Sequence, residues 1–374
     1  MAHPIYLDYQ ATTPLAPEAF AAMKPWLSEA GFANPHSAHK MGRAASAAVE
    51  VARAQISALL PGNGRLVFTS GATEAINLAL QGAIWKLETN GSTRRKIVTV
   101  VSEHAAVRDT CFWLEGQGYD LQMLPVGHDG VVDLEAAREA IDDETAIVAA
   151  MLVNNEIGVI QPIAQLAELT HEKGALFLCD AVQGYGRVPI QANVDLVALS
   201  SHKIYGPKGI GALWLRDGVD IAPLIHGGRQ EQGLRSGTLS PALCAGFGAA
   251  AKLCVDQAKV DEEHVRMLWG RAISLFADWD INGSEEHRYQ GNLNIRRDGV
   301  DVARLMSEVR GVAFSAGSAC ASGSGRPSHV LSALGLKSQE VKSSVRLGFG
   351  RYTSIKELEQ AAAMINAAAS EQLG

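Results

Sequence analysis

The stretch SSHKIYGPKG at residues 200–209 follows an apolar run at 195–199 that is typical of a buried strand. It brings two hydroxyls, an imidazole and an amine to the C-terminal end of that strand, where ligands of open α/β sheets bind. A lysine held there loses its proton more easily and can become a nucleophilic amine that forms Schiff bases with carbonyl compounds. From this segment alone, an exposed loop lysine is an equally open interpretation of Lys203.

Strand and helix patterns alternate around this segment from about residue 44 to residue 220. Short apolar strands are predicted at 66–69, 97–101, 121–125, 146–153, 176–179 and 195–199. Helices are predicted at 44–60, 70–86, 105–116, 133–141 and 163–173. Such alternation predicts right-handed βαβ units and a mostly parallel sheet that is covered by helices on both faces.

The pattern changes after about residue 240. We predict a long helix at 240–277, then strands and helices at 292–296, 301–309, 312–315, 344–348 and 354–371. This succession indicates a smaller α+β domain, with which the first dozen residues can pack. We therefore expect a large domain at 15–255 and a small domain formed by residues 1–14 together with 256–374.

Composition excludes several classes of protein. The chain has 374 residues, a net charge of −7 and a pI of about 5.9, which argues against nucleic-acid binding. It lacks a run of 18 apolar residues, so no membrane span is expected, and its first residues lack the pattern of a signal peptide.

Five cysteines without a Cys-x-x-Cys motif favour a reducing cytoplasm and suggest no structural metal site. We read Cys111, Cys179, Cys244 and Cys254 as small core residues.

Several polar side chains directly follow predicted strands. Ser70–Thr73 opens a helix, where free backbone N–H groups suit a phosphate, although a simple helix N-cap fits equally. Asp180 can hold the protonated nitrogen of a heterocycle or cap a turn. His104 can stack on a ring and move protons, or make an ordinary hydrogen bond at the rim. Asn154 and Asn155 suit a ring hydroxyl, a carboxylate or a turn.

Two further residues lie in the C-terminal third. Arg346 is a charge within a strand-like segment, and its planar fork suits either a substrate carboxylate or a structural ion pair. Cys320 lies in the Gly/Ser-rich stretch 315–326, which offers little to pack against, so we expect a mobile and accessible thiol. An exposed single thiol is a liability, which favours a function for Cys320. Together, a phosphate site, an acid, an imidazole and a lysine are the parts that hold pyridoxal phosphate.

The chain resembles cysteine desulfurases of the NifS/IscS type, which are class V, fold-type I pyridoxal-phosphate enzymes. The resemblance spans nearly the whole chain and rests on YLDYQATTP at 6–14, NPHS at 34–37, TSGATE at 69–74, EH at 103–104, VNNEIG at 153–158, DAVQ at 180–183, the opening segment, RSGT at 235–238 and GSACAS at 317–322. It implies a large domain with a mostly parallel seven-stranded sheet and a small domain that carries the cysteine loop.

The resemblance also implies how the cofactor is held. Lys203 would form a Schiff base with pyridoxal 5′-phosphate and move protons, His104 would stack on the ring, and Asp180 would pair with the ring nitrogen. Thr238 would reach the phosphate of the other subunit, so a homodimer is expected. The other expected cofactor contacts are Ala72, Thr73, Asn155, Gln183, Ser200 and His202.

For the reaction, the resemblance implies L-cysteine as the substrate and alanine as a product. Asn34 and Arg346 would hold the cysteine carboxylate, and Asn155 would contact the ring hydroxyl or the substrate. Cys320 would attack the substrate sulfur, carry a persulfide to an acceptor such as an iron–sulfur scaffold protein, and could serve as a transient cluster ligand. Because the sequence ends soon after its last helix, we do not expect docking through a long C-terminal tail. The alternatives are a selenocysteine lyase, a class V aminotransferase or a non-catalytic scaffold with the same fold.

Overall fold

The computed structural model describes residues 4–28, 31–316 and 328–374. Its helices and strands in chain order are β1 (Ile5–Tyr6), α1 (Pro17–Met23), α2 (Lys40–Ser57), β2 (Gly64–Thr69), α3 (Ala72–Thr89), β3 (Lys96–Val100), α4 (Ala105–Glu115), β4 (Asp120–Leu124), α5 (Leu134–Ala140), β5 (Thr145–Met151), α6 (Ile163–Glu172), β6 (Leu176–Asp180), β7 (Leu196–Ser200), β8 (Gly211–Arg216), α7 (Pro241–Leu275), β9 (Asp280–Ile281), β10 (Asn292–Arg296), α8 (Val302–Glu308), β11 (Val312–Ala313), β12 (Ser315–Ala316), α9 (His329–Ala333), α10 (Ser338–Lys342), β13 (Ser344–Gly348) and α11 (Ile355–Leu373). Within these described parts, no helix is long and apolar enough to cross a membrane.

The main sheet has seven strands in the order β2-β8-β7-β6-β5-β3-β4, which confirms the predicted α/β fold. All neighbouring pairs are parallel except those made by β8, which runs antiparallel to both β2 and β7. The strand β8 was missing from the predictions. It is antiparallel because ten residues separate it from β7, too few for the helical crossover that a parallel strand needs.

The central strands are largely apolar, with polar residues mainly at their ends, because helices cover both faces of the sheet. Every residue of β5 is buried. Successive residues of β3 point to opposite faces: Ile97 packs in one apolar cluster with helices α3 and α4, and Val98 packs in the other with α2, α6 and α7. This alternation is the two-residue period of a strand.

A second body of structure is built on the four-stranded sheet β12-β13-β10-β9. Its apolar core joins Leu7 to residues between Leu268 and Ala369, and β1 pairs with β11 in parallel. The predicted strand at 312–315 is in fact two short strands, which break at Phe314 because β11 and β12 pair with different partners. The predicted division at residue 255 falls inside the 35-residue helix α7, and it stays a proposal.

The topology brings the predicted polar residues together. Because β8 is antiparallel to both of its neighbours, β2 runs in the same direction as β7, β6, β5 and β3. The carboxyl ends of these five strands therefore lie at one edge of the sheet, where α/β proteins bind ligands. The segments that follow them begin at residues 70, 101, 152, 181 and 201.

Candidate active site

A cavity of about 350 Å³ lies at this edge of the sheet. It brings together most of the predicted site residues, namely Ala72, Thr73, His104, Asn155, Asp180, Gln183, Ser200, His202 and Lys203. Apolar side chains, among them Ile76, Met151 and Val153, complete the walls. The cavity thus combines a polar floor with apolar sides, as small-molecule sites do.

Lys203 ends a single 3-10 turn, Ser201–Lys203, directly after β7. Its Nζ donates hydrogen bonds to the carbonyl oxygens of Gln10 (2.5 Å) and Ala11 (2.8 Å), which lie in the N-terminal segment. Burial lowers the pKa of Lys203 from 10.5 to about 8, and the nearby Arg346 adds to this effect. A substantial fraction of this amine is therefore neutral, and nucleophilic, close to neutral pH.

Asp180 is the last residue of β6 and is 6% exposed. One carboxylate oxygen accepts the backbone N–H of Val182 at 3.0 Å. Burial raises the pKa of Asp180, while that N–H and the positive potential of His104 and Lys203 act in the opposite direction. A cation that contacts this carboxylate would offset the free-energy cost of burying its negative charge. A protonated ring nitrogen is such a cation.

His104 is the N-cap of α4, and its Nδ1 accepts the backbone N–H of Ala106 at 3.1 Å. In the neutral imidazole, a ring nitrogen that accepts leaves the proton on the other nitrogen, so Nε2 is the donor. The capping bond therefore fixes both the tautomer and the orientation of a ring that lines the cavity.

The N-terminus of α3 also lines the cavity. Its N-cap, Gly71, has no side chain to bond the first-turn N–H groups, which leaves them free for an anion. Ser200 and His202 line the same cavity. Burial, followed by the charges of Lys203 and Lys208, lowers the pKa of His202 to about 4, so this ring is neutral and can donate a hydrogen bond without carrying charge.

Two amides lie on the side wall. Gln183 donates from Nε2 to the carbonyl oxygen of Gln10 at 2.9 Å. The Oδ1 atom of Asn155 is buried and has no hydrogen-bond partner in the described parts of the chain. A buried acceptor without a partner is costly and suggests a donor that belongs to a bound molecule.

Three predicted site residues do not line the cavity. Arg346 donates to the Asn155 carbonyl (3.1 Å), to Asp8 (2.8 Å) and to Ser315 (3.1 Å). Of the two roles that the sequence allowed for Arg346, the structure therefore contains the ion pair, with Asp8 as the partner. Asn34 is exposed, and its side chain accepts the backbone N–H of His36. Thr238 is also exposed.

Cys320 lies outside the described residues. The other four cysteines, Cys111, Cys179, Cys244 and Cys254, are all buried, and burial raises the pKa of each thiol. They are core residues, as the sequence predicted. In the described parts of the chain, no group of three or more His, Cys, Asp or Glu side chains could hold a metal ion.

Sequence reasoning missed four residues that touch or support this site. Asp8 pairs with Arg346, and the Gln10 carbonyl accepts from Lys203. Arg187 donates to Gln183, and Glu103 is a fully buried carboxyl beside His104. Only Glu103 follows a strand that the sequence predicted, at 97–101, and the sequence offers no local signal for the partners of the other three.

Residues 5–361 match the profile of the aminotransferase class-V family. The chain belongs to this family. Among its relatives, the cysteine desulfurase IscS of Rickettsia bellii is 43% identical over 373 residues, covering 97% of this chain and 90% of that protein. The IscS of Rickettsia rickettsii matches equally well, at 43% over the same share of each chain.

Solved structures of class-V proteins have the same architecture. A NifS-like protein superposes with a TM-score of 0.91 at 31% identity, covering 98% of this chain and all of the other. SspA in complex with cysteine superposes with a TM-score of 0.83 at 35% identity, covering 93% of this chain and 99% of SspA.

The residues present fit the cofactor that the family resemblance implies. The free N–H groups at the start of α3 suit its phosphate, and the buried Asp180 suits its ring nitrogen. The amine of Lys203 lies in the same cavity and has a lowered pKa. The unpartnered Oδ1 of Asn155 supplies a further polar atom.

Proposed function

We propose that this class-V protein is a cysteine desulfurase that uses pyridoxal 5′-phosphate to take sulfur from L-cysteine. The observation that carries the proposal is the amine of Lys203, which shares one cavity with Asp180, His104 and the N-terminus of α3. The 43% identity to the cysteine desulfurases IscS of two Rickettsia species supports this choice of reaction.

When bound, the cofactor withdraws electrons from the α-carbon of an attached amino acid. Residues of the chain hold it in place. Ala72 and Thr73 at the start of α3, with Ser200 and His202, bind its phosphate. Asp180 keeps a proton on its ring nitrogen, and the buried location of this carboxylate strengthens the pairing.

Lys203 and His104 move the protons of the reaction. A lysine with a pKa of about 8 can both release and recover a proton near neutral pH, which suits a general base and acid. The Nε2 proton of His104 is available on the cavity side because Nδ1 is engaged by the backbone. Both groups therefore serve as proton carriers at fixed positions.

The resemblance assigns the binding and cleavage of the substrate to four residues. Arg346 and Asn34 bind the cysteine carboxylate, and Asn155 contacts the ring hydroxyl or the substrate. The thiolate of Cys320 attacks Sγ of the substrate, so a sulfur–sulfur bond forms as the Cβ–S bond breaks. The electron pair of that bond stays with the substrate carbon, which takes a proton and leaves as alanine. The persulfide on Cys320 then passes to an acceptor protein.

Three further expectations belong to this proposal. The chain forms a homodimer in which Thr238 contacts the cofactor of the other subunit, and the exposure of Thr238 in a single chain agrees with that role. The acceptor is a scaffold protein for iron–sulfur cluster assembly, for which Cys320 can be a transient ligand. The protein works in the cytoplasm.

Absorbance and product analysis test the proposal. The purified protein should be yellow, and it should release one alanine for each sulfur taken from cysteine. Lys203→Ala should abolish the normal absorbance of the bound cofactor, and Cys320→Ser should lose turnover with a thiol acceptor. Full turnover of Cys320→Ser would exclude the persulfide role.

The same assays separate the alternatives. Transfer of the amino group to a keto acid would indicate an aminotransferase. Activity with selenocysteine but not with cysteine would indicate a selenocysteine lyase. A protein that stays colourless with added cofactor would indicate a scaffold that kept the fold.

A further inference from the structure

A closed ring of hydrogen bonds lies beside Lys203 and contains Arg187. The guanidinium of Arg187 donates from Nη1 to Oε1 of Gln183 (3.2 Å) and from Nη2 to the carbonyl oxygen of Lys203. Gln183 donates from Nε2 to the Gln10 carbonyl (2.9 Å), and Lys203 donates from Nζ to the same carbonyl (2.5 Å). Arg187 thus joins the backbone of one cavity residue to the side chain of another.

The ring determines which way the amide of Gln183 points. An amide side chain offers an acceptor at one end and two donors at the other, and its surroundings decide the orientation. Arg187 can only donate, so it holds Oε1 of Gln183. The Nε2 group is left with one proton for the Gln10 carbonyl and one for the cavity. Gln183, which is 5% exposed, therefore presents a donor to any ligand of the cavity.

Arg187 is itself held in place by its surroundings. Backbone bonds from Arg187 and Val188 to the Gly184 carbonyl form tight turns that place residues 183 and 187 side by side. The guanidinium also lies over the ring of Tyr289, 5.2 Å from its centre. Its charge reaches the cavity, where it contributes to the lowered pKa of Lys203.

We propose that Arg187 is a positioning residue of this site: it fixes the amide of Gln183 with its N–H₂ group toward the ring oxygen of the cofactor and holds the turn that carries Lys203. The inference rests on the proposed function, because it needs the cofactor as the acceptor. In this arrangement Gln183 donates a hydrogen bond to the ring oxygen of the cofactor. The site therefore favours the deprotonated, anionic form of that oxygen.

Three variants separate positioning from general support of the fold. Arg187→Met removes both the charge and the donors, and Arg187→Lys keeps the charge but cannot reproduce the planar fork. Arg288→Met is the matched control. Arg288 is 6% exposed, lies 5.3 Å from the ring centre of Trp269 and, within the described residues, donates only to backbone carbonyls. It precedes Tyr289 in the chain but makes none of the bonds of the ring, so its loss tests the removal of a neighbouring buried guanidinium that does not hold Gln183.

The first measurement is the pH titration of the absorbance of bound cofactor. Arg187→Met should raise the pKa of the chromophore by about one, since a positive charge near an anionic oxygen is lost. In Arg187→Lys the pKa of the chromophore should return most of the way to the wild-type value, and in Arg288→Met it should equal the wild-type value. An unchanged pKa in Arg187→Met, or an equal change in Arg288→Met, would overturn the inference.

The second measurement is the dissociation constant of the cofactor, obtained by titrating the cofactor-free protein. Arg187→Met should weaken binding about tenfold, as expected when a hydrogen bond to a charged group is lost. In a Gln183→Leu background the same substitution should weaken it by less than about threefold, because the two residues act together. A full tenfold effect in that background would refute action through Gln183.

Two outcomes distinguish this inference from the proposed function. A wild-type protein that binds no cofactor would reject both. A wild-type protein that binds cofactor and releases alanine, with Arg187 variants that titrate and bind as it does, would reject only the inference. If Arg187→Met does not fold, Arg187→Lys decides: its cofactor binding should be weakened at least about threefold, and unchanged binding would overturn the inference.

Discussion

Replacing Lys203 by methionine should stabilise the cofactor-free protein by about 3 kcal/mol at pH 7. Burial, aided by Arg346, lowers the pKa of Lys203 from 10.5 to about 8 in the folded chain. Each unit of difference corresponds to about 1.4 kcal/mol, so holding this lysine protonated in the fold is unfavourable by about 3 kcal/mol. Methionine has a similar length without the charge, so the substitution should remove this penalty. It also takes a donor from the Gln10 and Ala11 carbonyls, which lowers the gain by a similar amount at both pH values and makes about 3 kcal/mol its upper limit.

The pH dependence gives the sign of the effect. Between about pH 8 and pH 10.5 the unfolded chain keeps its proton on this lysine while the folded chain has released it, so the wild-type stability rises with pH in this window. The advantage of Lys203→Met should therefore shrink from about 3 kcal/mol at pH 7 to below about 1 kcal/mol at pH 10.

Urea denaturation of the cofactor-free proteins, at one protein concentration and at both pH values, measures this difference. Lys208→Met is the control, because Lys208 is an exposed lysine of the same loop and its loss should change stability by less than about 0.5 kcal/mol. An equal gain at pH 7 and pH 10, or no gain at pH 7, would refute the reasoning.

Three more substitutions test other contacts of the protein. Asp8→Asn removes a charge that raises the pKa of Lys203, so the rate of cofactor addition at pH 7, followed by absorbance, should increase by less than about threefold; a slower rate would contradict this. Away from the cavity, Glu231→Gln removes the 2.8 Å ion pair between Glu231 and Arg53; because Arg53 keeps its ion pair with Glu50, urea denaturation should show a loss of about 1–2 kcal/mol, whereas a loss below about 0.5 kcal/mol would show the pair to be dispensable. Thr238→Val should keep the stability of the exposed segment within about 0.5 kcal/mol but weaken cofactor binding in the dimer about tenfold, and unchanged binding would exclude a contact across the interface.

The sequence was sufficient for six of the seven strands of the large sheet because apolar strands and amphipathic helices are local patterns. Strands β10 and β13 have the predicted bounds, and α3 runs three residues past its predicted end. The antiparallel strand β8 escaped prediction because its direction follows from the length of the preceding loop and from pairing with β2, which is distant in the sequence. The split of one predicted strand into β11 and β12 is likewise decided by partners far along the chain.

The site was predictable to the extent that position after a strand is a local property. Lys203, Asp180 and His104 follow β7, β6 and β3, whose carboxyl ends lie at the same edge of one sheet, and this placement brings them to one cavity. The contact between Arg346 and Asp8 joins residues 338 positions apart. No local pattern could therefore show whether Arg346 forms an ion pair within the protein or binds a substrate carboxylate. The bonds of Arg187 were missed for a related reason, since an arginine four residues after Gln183 has no distinctive spacing.

The reactivity of Lys203 and its cost to stability have one physical origin. The segment that contains Gln10 and Ala11 lies over this amine and gives it two carbonyl acceptors, while burial removes the water that would stabilise its charge. Carbonyl oxygens favour the charged amine, so the lowered pKa means that desolvation and the nearby arginines outweigh them. A Schiff base at Nζ would release these carbonyls and remove the buried ammonium. Cofactor binding at Lys203 should therefore offset the free-energy cost of burying this charge, and the affinity for the cofactor and the stabilisation by Lys203→Met should share this contribution.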